Sequence, residues 1–109
     1  MWIVALMGEV DRSSAAEVEM ILTRAVASGD PVIVDLQHAK FVDSSILGAI
    51  IKAQKQSGRR GLAVVIPANG EVRRVFDLVD AEAMFVLVPT LRHAVEWCYP
   101  TDTDLGQAV

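Results

Sequence analysis

A chain of 109 residues, 52% of them hydrophobic, can bury one real core and has no room for two. Its formal charge of −4 argues against a nucleic-acid binder, which needs a basic face to meet phosphates. The single cysteine, Cys98, leaves no disulfide within the chain and no CxxC or Cys/His metal spacing, so a cytoplasmic setting is expected.

Met1 to Met7 is apolar but lacks a basic leader and stops at Gly8-Glu9. That is too short to span a membrane or serve as an ordinary signal peptide, and residues 2–7 read as a buried strand. Ser14 and Glu17 have the spacing of a capping box, and Ala15, Val18, Leu22, Ala25 and Val26 fall on one helical face. They predict a helix from about Ser14 to Ser28, closed by Gly29. The Val/Ile run from Val32 to Leu36 reads as a strand buried on both faces, followed by a short polar connection.

Phe41-Val42-Asp43-Ser44-Ser45-Ile46-Leu47-Gly48-Ala49-Ile50-Ile51 comes next, leading into a helix over about Ser44 to Gln56. Ile46, Leu47, Ala49, Ile50, Ile51 and Ala53 span too wide an arc for one core. Either neighbours sandwich the helix, or Ile46 and part of the arc form an apolar docking surface. Lys52, Lys55, Arg59 and Arg60 read as a solvated face.

Ser57 to Gly61 is a turn, and Leu62 to Ile66 is a third strand closed by Pro67. Val72, Val75, Phe76 and Val79 mark a short helix after Asn69-Gly70, with Phe76 in the core. Met84 to Val88 is a fourth strand, and Pro89-Thr90 opens a last helix in which Leu91, Ala94, Val95 and Cys98 share a face. Cys98 therefore reads as a small buried apolar residue. Residues 99–109 have no period and are expected to form a loosely attached tail outside a domain of residues 1–98. No internal repeat is read. Strand and helix alternate four times, predicting an α/β fold with a mainly parallel four-stranded sheet and about four helices.

Catalytic constellations are thin. His38 lies a few residues before the motif, so a base role toward Ser44 is conceivable, but it reads rather as a solvent-facing loop His, and His93 has no ionisable neighbour at helical spacing but Glu96. Asp11, Asp35 and Asp43 could be forced into the acidic cluster of a phosphoacceptor receiver domain. However, Asp35 sits inside an apolar strand, and no Lys follows the third strand. The reading is a binding module, not an enzyme, with no cofactor or metal of its own.

Two accounts of Asp43, Ser44 and Ser45 compete. Asp and Ser satisfy the free N–H groups of a first helical turn, so Asp43 or Ser44 could be only an N-cap. Alternatively one hydroxyl is a phosphorylation site, because a helix N-terminus tolerates added negative charge.

Phe41-Val42-Asp43-Ser44-Ser45 followed by Leu47-Gly48 resembles the signature of STAS domains, specifically the bacterial anti-sigma factor antagonists. Leu6-Met7-Gly8-Glu9-Val10-Asp11, Val32-Ile33-Val34-Asp35-Leu36 and Val75-Phe76-Asp77-Leu78-Val79 fit the same family in order, so the resemblance runs from about Trp2 to Trp97. It implies that the unphosphorylated chain binds an anti-sigma factor serine kinase and frees the sigma factor. Phosphorylation of Ser44 would end that binding. Asp11, Asp43, Ser45, Leu47 and Gly48 would flank the acceptor, ATP and Mg²⁺ would belong to the kinase, and a phosphatase could act in reverse. STAS domains also serve as structural subunits of lipid-transport or stress-signalling complexes without phosphoswitching, and that alternative stays open.

The family usually has Gly where this chain has Ile46. Since Leu47, Ile50 and Ile51 already supply a core-facing stripe, Ile46 is expected to be at least partly exposed and to touch the partner. The family also normally carries one further strand ahead of the first one read here, so an exposed sheet edge and a dimer through it are expected.

Overall fold

The computed structural model describes residues 1–58, 61–80 and 84–99. In chain order the elements are β1 (Trp2–Ala5), β2 (Gly8–Val10), a 3₁₀ turn (Arg12–Ser14), α1 (Ala15–Ala27), β3 (Val32–Asp35), β4 (Ala39–Val42) and α2 (Ser44–Gln56). β5 (Ala63–Val65), α3 (Glu71–Leu78), β6 (Val86–Val88) and α4 (Leu91–Cys98) complete them. The expected tail beyond Tyr99 and the expected contribution of Arg59 and Arg60 to a basic face lie outside the described residues.

The central sheet has the order β1-β3-β5-β6, all parallel. Its register puts Val4, Val34, Val64 and Leu87 on one face, and Ile3, Ile33, Ala63 and Val86 on the other. The first face packs on Val18, Leu22 and Ala25 of α1 and on Ile46, Ala49, Ile50 and Ala53 of α2. Val72 and Phe76 of α3 join this core, where the Phe76 and Phe85 rings stand 6.0 Å apart and tilted. The second face is covered by α4 through Ala94, with Leu91, Val95 and Cys98 beside it. Cys98 is half-buried against this cluster.

α2 is the sandwiched helix of the two readings. α1 lies along one side of it, and Lys52 reaches across to Glu19 in an exposed ion pair that adds little stability. Gly29 and Gly58, both at positive φ, stop α1 and α2 where a side chain would be strained.

Several local expectations fail. β1 is not buried throughout, since Ile3 and Ala5 are exposed at the edge of the sheet, and the strand expected from Met84 begins only at Val86. The strand expected over residues 2–7 ends at Ala5, and the chain resumes as β2, which pairs in parallel with β4 in a separate two-stranded sheet. The presumed polar connection after Leu36 is thus half of that second sheet. Nor does the Ser14–Glu17 capping box form: Ser14 makes no side-chain cap bond. Asp11 caps the preceding 3₁₀ turn instead, accepting the Ser13 amide.

Candidate functional site

The second sheet positions the motif. Val10 pairs with Val42, and the Asp43 amide donates to the Val10 carbonyl at 3.2 Å. Parallel pairing brings Asp11 and Asp43, the next residues of each strand, out at the same end. Each then starts a helix, so two helix entrances stand side by side.

Asp43 is the N-cap of α2. Its Oδ1 accepts the amides of Ser45 at 3.0 Å and Ile46 at 3.2 Å, satisfying donors that the first turn cannot pair internally. The same oxygen accepts the Ser45 hydroxyl at 2.5 Å, the length of a charge-assisted bond. The Ser45 hydroxyl holds the carboxyl below its ordinary value of 3.8, against partial desolvation; the amides of Ile46, Ser45 and Arg12 add to the lowering. Arg12 therefore lies across the gap between the two entrances, and its own side chain is exposed.

Both accounts of the trio find a residue here. Asp43 does the capping, and this leaves Ser44 unused: it is the first residue of α2, it is exposed, and its hydroxyl bonds to nothing among the described residues. Ser45, by contrast, is half-buried and bonded to Asp43. Gly48, one turn further on the same side of the helix, is exposed, and a Cβ built on it would meet nothing within 4 Å.

Ile46 corrects the expectation. It is 0% exposed and sits in the main core with Leu47, which is 5% exposed. The physical reason is the sandwich: with α1 beside α2 and the sheet beneath, the first turn has core on more than one side. Neither side chain is available to a partner. His38 precedes β4 whereas Ser44 follows it, so the strand holds the two apart, and among the described residues no base bonds the Ser44 hydroxyl. Asp35 turns to the Gln37 amide at 3.0 Å rather than joining Asp11 and Asp43. Among the described residues no three His, Cys, Asp or Glu side chains are grouped to hold a metal ion. His93 meets Thr90, 2.6 Å from its Nδ1, while Glu96 pairs with Arg92.

Sequence reasoning placed Phe41 in the motif without reading its exposure, and it missed Arg12 beside the motif. Phe41, on β4 opposite Glu9, is 44% exposed although aromatic, and the backbone amide of Arg12 lies near the Asp43 carboxyl. The signal that could have found Arg12 is a short recurrence: Val10-Asp11-Arg12-Ser13 and Val42-Asp43-Ser44-Ser45 share the pattern Val-Asp-x-Ser.

Comparison with known proteins places this geometry. Residues 1–94 match the model of the STAS domain family. A crystal structure of an anti-sigma factor antagonist from Mycobacterium paratuberculosis is 28% identical, with a TM-score of 0.80 over 88% of this chain and 83% of that one. A Thermotoga maritima protein assigned as an anti-sigma factor antagonist is 24% identical, with a TM-score of 0.74 over 88% and 86%. The Bacillus cell-fate determinant SpoIIAA in its phosphorylated form is 18% identical, with a TM-score of 0.63 over 86% of each chain.

Proposed function

The chain belongs to the STAS domain family, and from that premise we propose that it is an anti-sigma factor antagonist switched by phosphorylation of Ser44. In this reading the unphosphorylated chain binds an anti-sigma factor kinase in the cytoplasm and so frees a sigma factor. Phosphate on Ser44 ends the binding, and a phosphatase restores it. The chain itself performs no chemistry; ATP and Mg²⁺ are the kinase's.

The observation that carries the proposal is the division of labour in the first turn of α2. Asp43 and Ser45 satisfy each other and the helix, while the Ser44 hydroxyl is exposed and unbonded, so esterifying it breaks no bond of the fold. A phosphate would bring about −1.5 to −2 charge beside the Asp43 carboxylate. The docking surface, already acidic through Asp11 and Asp43, would become strongly more negative without melting the helix. That surface comprises Asp11, Asp43, Ser44, the rim of Ser45, Gly48 and the exposed ring of Phe41. Bare backbone at Gly48 lets a partner approach closely. The similarity to the antagonist from Mycobacterium paratuberculosis supports the same role.

Incubating the chain with a candidate anti-sigma factor kinase and Mg²⁺-ATP, followed by intact mass and phosphopeptide mapping, tests the reading. One phosphate, on Ser44, with loss of the complex, is the expected result. Phosphate on Ser45 would refute the assignment of the acceptor. A stable complex formed with no phosphate transfer would favour a constitutive structural subunit. Ser44→Asp, which adds about half the charge of phosphate, should weaken binding less than phosphorylation does. Unchanged affinity for both forms in titration calorimetry would remove electrostatics as the switch.

A further inference from the structure

β1 closes one side of the central sheet, and its outer edge has no partner strand among the described residues. The amides of Trp2 and Leu6 donate inward, to Pro31 at 2.9 Å and Asp35 at 3.0 Å. With Trp2 in register with Val32, residues 2, 4 and 6 therefore turn their backbone groups toward β3, and Ile3 and Ala5 turn theirs outward. An extended chain can replace water along the whole of such a row of alternating donors and acceptors.

Several features identify what that chain is. No side chain from Met1 to Met7 is charged, so the strand can meet itself without placing like charges opposite. It has none of the usual edge protection: no Lys, no Pro and no bulge in its pairing with β3. The opposite edge differs, because β6 runs directly into Pro89, which has no amide to donate. The side chains agree with the backbone. Ile3 is 44% exposed although its register partner Ile33 is 0% exposed, because α4 packs over β3, β5 and β6 and Ile3 lies outside the cluster it buries. Met1 and Met7 continue this apolar strip at 44% and 66%.

We propose that a second copy of this chain adds its own β1 to this edge in antiparallel, about a two-fold axis at Val4. Ile3 of each copy then lies opposite Ala5 of the other, with their outward amides and carbonyls exchanged, and Met1 lies opposite Met7. A large side chain meets a small one at each central pair. The two four-stranded sheets join into one. A pairing this short buries less than a standard interface, so the dimer forms in a concentration-dependent way.

Sedimentation equilibrium of the 109-residue chain over a wide dilution series reads the association directly. Wild type is expected to move from monomer to dimer as concentration rises. Ala5→Pro removes only an outward-facing amide, and Ile3→Lys places a charge on the seam; each should weaken association by about tenfold or more with the circular dichroism unchanged. If Ala5→Pro does not fold, Ile3→Lys alone decides. Cross-protomer NOEs around Val4 in mixed labelled and unlabelled protein are expected from the two-fold. A wild type that stays monomeric throughout overturns the proposal, as does a dimer that survives in every folded variant.

Discussion

At both helix entrances an Asp Oδ1 accepts the amide of the residue two positions on at 3.0 Å and the same residue's hydroxyl at 2.5 Å, from Ser13 in one case and Ser45 in the other. Beyond this shared cap the two diverge position by position. Arg12 corresponds to Ser44, Ser14 to Ile46 and Ala16 to Gly48. The first entrance passes through a 3₁₀ turn at the surface, with no buried residue in it. The second drives straight into α2 and buries Ile46 and Leu47 at once. The same cap can therefore serve a solvated turn or anchor a core helix, depending on the residue three positions past the Asp. Where that residue is core, the free hydroxyl between cap and core stands on a rigid platform.

The largest expected effect tests that anchoring. Ile46→Ala removes a fully buried branched side chain and should destabilise the fold by ~2–5 kcal/mol in denaturant melts. Ser14→Ala, at the corresponding position of the first entrance, removes a half-buried hydroxyl that makes no cap bond and should stay within about 0.5 kcal/mol. Equal losses would mean that the two entrances are not distinguished by their core contact.

Ile46 also marks where the sequence stopped being legible. The strands of the central sheet, the four helices and the buried Phe76 follow from β-branched runs and helical spacing, which are local signals. A wheel of α2 shows that its apolar arc is wide, but only the positions of α1 and the sheet decide whether that arc is covered. The second sheet was illegible for a different reason. β2 and β4 are three and four residues long, with Glu9, Lys40 and Phe41 exposed, so neither shows a clear apolar run. Their pairing joins segments about thirty residues apart, and no local period records it. The site was partly legible because Asp-Ser before an apolar period is cap chemistry wherever it occurs. Which of Asp43, Ser44 and Ser45 does the capping, and which stays free, needed the hydrogen bonds.

Next in size is the cap itself. The Asp43 side chain holds two amides of a core helix, whereas Asp11 holds one amide of a surface turn. Asp43→Ala should lower the thermal midpoint by about 4–8 °C and Asp11→Ala by visibly less. The pH dependence has a definite sign. Because the folded carboxyl lies below its ordinary value of 3.8, its contribution is complete above that value and is lost as pH falls through the lower, folded one. The midpoint difference between wild type and Asp43→Ala should thus be flat above pH 3.8 and shrink below it. A difference that keeps growing on acidification would show that the carboxylate is not what the helix uses.

Gly48→Ala makes the second entrance more like the first, which has Ala16 there. The site is helical and exposed, with nothing within 4 Å of the new methyl, so the fold should gain about 0.5–1 kcal/mol. A stabilising change that also weakens binding of a candidate anti-sigma factor kinase would locate the bare backbone in the proposed docking surface. Stabilisation with affinity intact would take Gly48 out of it.

The smallest expected effect bears on the residue to which the proposed function gives the switch. Ser44 sits where the first entrance has Arg12, exposed, with its hydroxyl unbonded, so Ser44→Ala should change stability by less than about 0.5 kcal/mol. Ser45→Ala deletes the hydroxyl that donates to Asp43 at 2.5 Å and should cost about 0.5–1.5 kcal/mol. With kinase and ATP the ranking is expected to reverse, since Ser44→Ala abolishes phosphate incorporation while Ser45→Ala still accepts it. The two readouts together separate structure from switching. If the stability losses were exchanged, Ser44 would be a structural hydroxyl and a poor acceptor, because adding phosphate there would then break a bond that the helix needs.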